Sequence, residues 1–116
     1  MVGVDAMIEQ KARAAIRVLA QRAHVRAAYL FGSHLEGTAD RWSDIDIAAF
    51  IDEASQWDLE QHVAACIEAQ RQVGDDIELH LLPGKFLLNP PRASFAQYIL
   101  RHGTRLNIED ITVAGK

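Results

Sequence analysis

Two apolar runs flanking a polar connection constrain this chain most. The first, Val25 to Phe31, ends in Gly32-Ser33, and the second opens on Asp44 and Asp46, two residues apart. Side chains two apart in a strand project to one face, so Asp44 and Asp46 share a face while Ile45 and Ile47 take the other. Ala48 through Ile51 continue as an apolar run suited to a strand buried on both sides. The chain is therefore expected to be built on a sheet that delivers two carboxylates to one side. Like charges roughly 5–7 Å apart repel, and a cation between them offsets that cost. Magnesium suits the pair, because it takes carboxylate and water oxygens at about 2.0–2.1 Å and keeps positions open for substrate phosphates. Gly32-Ser33 supplies a turn at which backbone N–H groups and a hydroxyl can approach phosphate oxygens. Gly37 permits a second tight turn.

With 116 residues the chain is expected to form one domain, residues 1–116, with no room for an added substrate domain. Hydrophobic residues make up 49% and charged residues 24%, a balance that predicts a packed soluble fold rather than disorder. The formal net charge of −4 argues against broad, sequence-independent nucleic-acid binding and favours a protein or small-molecule acceptor. A single cysteine, Cys66, rules out an internal disulfide; it reads as a packing residue, and a cytoplasmic location is expected. No apolar stretch reaches the roughly 18–20 residues of a membrane span, so no membrane association is expected.

Met7, Ile8, Ala12, Ala15, Ile16 and Leu19 recur at intervals of three and four, predicting a helix over residues 5–23 with Asp5 as its cap. Lys11, Arg13, Arg17 and Arg22 read as its solvated face. A second helix is predicted over 57–72, with Leu59, Val63, Cys66 and Ile67 as its packing stripe, Trp57 packed and His62 at the surface. Between Asp76 and Leu82, Asp76, Glu78 and His80 alternate with Ile77, Leu79 and Leu81, which predicts a half-buried strand with a polar face. His80 reads as an ordinary member of that face. Asn89-Pro90-Pro91 signals a helix start with Asn89 as cap, and a helix over 93–102 is expected to use Phe95, Ile99 and Leu100 before Gly103 stops it. A strand through Leu106 and Ile108 and a loose tail from Asp110 complete the expectation.

Gly32-Ser33, ten residues, then Ser43-preceded Asp44-x-Asp46 resembles the signature of the nucleotidyltransferase superfamily related to DNA polymerase β. The short chain resembles its minimal nucleotidyltransferase (MNT) branch over nearly its whole length. Ile77-Glu78-Leu79 is similar to the acidic strand pattern of that branch, with glutamate for aspartate, and Ile99 to Leu106 is similar to its closing Ile-Leu-x-x-Gly segment. Glu36 departs from the pattern, standing where related sequences often carry an arginine; His34 and Arg41, which could supply positive charge, read as loop residues.

The resemblance implies an α/β (α+β) nucleotidyltransferase fold, a small mixed β-sheet with helices packed mainly on one face. It implies that Asp44, Asp46 and Glu78 hold Mg²⁺, with Glu78 as ligand or base, and that Gly32 and Ser33 bind ATP. AMP would then pass to a hydroxyl. Small members pair with HEPN-domain toxins and silence them by adenylylation, so a HEPN-domain toxin is the implied partner and acceptor. An aminoglycoside-type adenylyltransferase, or an antitoxin that acts by binding alone, are the alternatives.

Overall fold

The structure, a computed structural model, describes residues 6–32 and 44–114, the last three by backbone only. Its first helix, α1 (Ala6–Leu19), turns Ala12, Ala15, Ile16 and Leu19 inward as the spacing of its apolar residues dictates. Strands β1 (Val25–Phe31) and β2 (Ile45–Ile51) pair antiparallel. A register shift between Val25 and Ala27 leaves Arg26 as an extra residue in β1. Val25 therefore faces one core and Ala27 the other, although they are two apart.

A 3₁₀ turn (Asp52–Ser55) and helix α2 (Leu59–Val73) carry the chain from β2 to β3 (Ile77–Pro83), which lies parallel to β2 as a helical crossover permits. After a 3₁₀ turn (Gly84–Leu87) and helix α3 (Phe95–His102), the two-residue strand β4 (Thr104–Arg105) pairs with β1, and helix α4 (Glu109–Ala114) follows. The mixed sheet has the order β3-β2-β1-β4. Its Ile45, Ile47 and Ile51 face joins a larger core with α1, α2 and the segment from Leu106 to Ile111. The opposite face, with Tyr29 and Phe50, forms a smaller core beneath Ala96 and Ile99 of α3. Helices thus lie mainly on one face, as expected.

Edge strand β3 is protected by α2. The Asp76 carbonyl accepts from the Ile45 N–H of β2 at 2.7 Å, so the carbonyls of Ile77 and Leu79, one and three residues on, point away from the sheet. Gln70 donates to the first at 2.9 Å and the Cys66 thiol to the second at 3.4 Å. Burial pushes the Cys66 thiol upward, consistent with packing rather than reactivity.

The expected stripe of α2 needs correction. Ala65 and Ala69 face the core, whereas Leu59, Val63 and Ile67 are 78%, 44% and 54% exposed. Two apolar rows wind around this helix, and the row of small residues packs inward. The helix also begins after Trp57, because Asp58 and Gln61 form a reciprocal capping box. His62 is half-buried, with Nε2 3.0 Å from the Ala54 carbonyl oxygen. Helix α3 starts later than expected, with Ser94 rather than Asn89 as its cap. The region from Asp110 is a helix rather than a loose tail, fixed by buried Ile111 and by an Arg13–Asp110 ion pair at 2.7 Å. No helix among the described residues is long and apolar enough to cross a membrane.

Candidate functional site

Strand pairing brings the site together. Parallel register sets Asp46 opposite Glu78 and Ala48 opposite His80, while antiparallel register sets Phe31 opposite Asp46 and so brings Gly32 alongside it. Glu78 and His80 are two apart and share a face. One carboxylate oxygen from Asp46, one from Glu78 and a ring nitrogen of His80 all lie within 4.8 Å of one another. Asp46 and His80 are half-buried; Glu78 is exposed.

Gly32 forms the rim. Its φ of +86° lies in the left-handed region, and a β-carbon there would collide with Oδ2 of Asp46. The backbone conformation favours glycine, and any side chain there would have to displace the Asp46 carboxylate. The result is a carboxylate laid directly against main chain at the end of β1.

His80 is held by aromatic neighbours. Its ring centroid lies 5.2 Å from Phe31 and 5.7 Å from Phe95, and these two phenyl rings meet edge to face at 5.4 Å. Nε2 of His80 is buried without a hydrogen-bond partner among the described residues and sits 3.7 Å from Oδ1 of Asp46, beyond hydrogen-bonding distance.

This donor set fits a divalent cation. Two carboxylates about 5 Å apart repel by roughly 1 kcal/mol in water-like surroundings and about 3 kcal/mol at an effective dielectric constant near 20. A cation would relieve that repulsion and satisfy the orphaned imidazole nitrogen. The glycine rim leaves the room that the Asp46 carboxylate takes up.

The structure therefore brings together Asp46, Glu78 and Gly32 from the expected set. Asp44 is exposed, one residue ahead of β2, and outside the 4.8 Å group. Ser33 lies outside the described residues, as do His34, Glu36, Gly37, Arg41 and Ser43. Sequence reasoning left His80 out of the site. The available signal was its two-residue spacing from Glu78, the same spacing that singles out Asp44 and Asp46.

The family model for the polymerase beta nucleotidyltransferase domain matches residues 14–111. Among solved structures, one described as a toxin–antitoxin crystal structure with AMP-PNP is similar at 25% identity, with a TM-score of 0.60, covering 92% of this chain and 82% of that one. No curated protein matches the chain.

Proposed function

The chain belongs to the polymerase beta nucleotidyltransferase family, and we propose that it transfers AMP from ATP, with Mg²⁺, to a hydroxyl of a partner toxin of the HEPN class. The observation that carries this reading is the register pairing of Asp46 with Glu78, with Gly32 packed against the first carboxylate. The AMP-PNP and toxin–antitoxin content of the similar structure supports an adenine nucleotide as donor and a toxin as partner.

When bound, Mg²⁺ supplies charge neutralisation and polarisation at the α-phosphate. Asp46 and Glu78 would provide carboxylate oxygens to hold it, and Asp44, one residue ahead of β2 and outside their 4.8 Å group, would add another from the edge of the site. Gly32 keeps the end of β1 thin enough for the triphosphate to approach, and the Ser33 hydroxyl donates to its oxygens. Glu78, exposed where Asp46 is half-buried, accepts the proton of the attacking hydroxyl. An oxygen–phosphorus bond forms to the acceptor as the bond to pyrophosphate breaks. Phe31 and Phe95 line one side of the site, with Phe95 itself 40% exposed.

A second reading, an antitoxin that acts by masking its partner, is favoured by one observation. The exposed row Leu59, Val63 and Ile67 offers α2 as a contact surface that needs no chemistry. Both readings are tested by incubating the protein with Mg²⁺, labelled ATP and its partner toxin, read by intact mass, with Asp44→Asn/Asp46→Asn as control. An AMP-sized gain on the partner, lost in the control together with neutralisation, supports transfer. Neutralisation without any gain in mass would overturn transfer in favour of masking.

A further inference from the structure

We propose that His80 is itself a metal ligand of this site, through Nε2, and that it biases the site toward divalent cations that accept nitrogen, Mn²⁺ and Co²⁺, over Mg²⁺. The proposal rests on the metal-site reading above and assigns it a ligand of a different chemical class.

Three observations carry it. The first is the orphaned nitrogen: Nε2 is buried and has no hydrogen-bond partner among the described residues, a state that costs about 1–3 kcal/mol unless something fills it. The second is spacing. Donors bound at about 2.1 Å are separated by about 3.0 Å at adjacent octahedral positions and about 3.4 Å in a tetrahedron. The 3.7 Å from Nε2 to Oδ1 of Asp46 is too long for a hydrogen bond, near the tetrahedral edge and somewhat longer than the octahedral one, so a cation would draw the two donors closer together. A histidine serving only to hold Asp46 would make the hydrogen bond. The third is orientation, since the Phe31 and Phe95 rings pack on the imidazole with Nε2 turned toward Asp46. A ligand already held in its binding geometry loses little freedom when the cation arrives.

The bias follows from ligand chemistry. Mg²⁺ prefers oxygen donors and sheds water reluctantly, whereas imidazole suits first-row transition ions, for which affinity rises from Mn²⁺ to Co²⁺. A site of carboxylates alone would show less of that preference.

The test uses the whole chain without nucleotide. Mn²⁺ and Mg²⁺ affinities are measured by calorimetry, and Co²⁺ loading is followed by proton NMR, for the wild type, His80→Gln and Asp46→Asn. We expect His80→Gln to weaken Mn²⁺ binding at least about tenfold while changing Mg²⁺ binding by no more than about twofold. The Co²⁺-loaded wild type should show a hyperfine-shifted imidazole N–H signal that both variants lose. Equal effects on the two metals, or a wild type without that signal, would overturn the histidine assignment. If His80→Gln proves unfolded, the wild-type signal and its loss in Asp46→Asn decide. Metal binding abolished in Asp46→Asn with His80→Gln unchanged removes only the histidine. Metal binding unaffected by Asp46→Asn would remove the metal-site reading itself.

Discussion

Gly32 lies so close against Asp46 that any β-carbon at position 32 would strike Oδ2 of the carboxylate. Its φ of +86° adds a separate backbone constraint. Gly32→Ala should therefore lower stability by about 1–2 kcal/mol through the left-handed backbone alone, and should displace Asp46 as well. Urea unfolding reads the first effect and AMP transfer the second, with activity falling at least about tenfold for a carboxylate moved out of place. An alanine variant that is equally stable and active would show that the two strands separate readily at this end.

Glu78 offers a cleaner separation of chemistry from folding, because its side chain is exposed. Glu78→Gln should reduce AMP transfer by about 10²-fold or more if the carboxylate binds metal or takes the proton. Stability of the metal-free protein should stay within about 0.5 kcal/mol, on the favourable side, since one of two neighbouring like charges is removed. Single-turnover mass spectrometry and thermal melting measure the two. A loss of both together would identify Glu78 as structural.

How much of this was legible in the chain depended on how local the cause was. The strand ending at Phe31, the glycine after it and the face carrying Asp46 follow from two-residue periodicity and one turn, all within a few positions. His80 joins Asp46 only through the β2–β3 register, a pairing that residues 34 apart in sequence do not announce. Helix α2 carries two apolar rows, and hydrophobicity favours Leu59, Val63 and Ile67 although close packing on the sheet selects Ala65 and Ala69. Helix α4 escaped notice because its anchor, Arg13, is 97 positions away from Asp110.

The exposed row on α2 should matter to partner binding and not to folding. Leu59→Asp and Ile67→Asp are expected to shift stability by no more than about 0.5 kcal/mol, whereas Ala69→Leu, at a fully buried position, should cost about 1–3 kcal/mol by overpacking. Co-purification with the toxin and urea unfolding distinguish the two classes. If the aspartate variants bind the toxin normally, its contact lies elsewhere on the surface.

Arg26 and Asp52 pin the end of the β1–β2 pair opposite the site, with Nε and one terminal guanidinium nitrogen each donating to a carboxylate oxygen at 2.7 Å. The hydrogen bonds from Arg26, reinforced by its charge, hold the Asp52 carboxyl below its usual range. A depressed carboxylate contributes stability that is present above its unfolded pKa, about 3.9, and is lost as pH falls through the lower folded value. Both side chains are partly exposed, so solvent screening keeps the contribution small at neutral pH. Arg26→Ala should therefore be slightly less stable than wild type at pH 7. The gap should narrow below about pH 4, close once Asp52 is protonated, and shrink with added salt at neutral pH. Urea unfolding of both proteins at pH 7 and pH 3, at low and high ionic strength, measures it. A gap unchanged across all four conditions would mean that Arg26 stabilises the strand end through its hydrocarbon stem, which lies 3.2 Å from where a β-carbon at Gly84 would sit, and not through its charge.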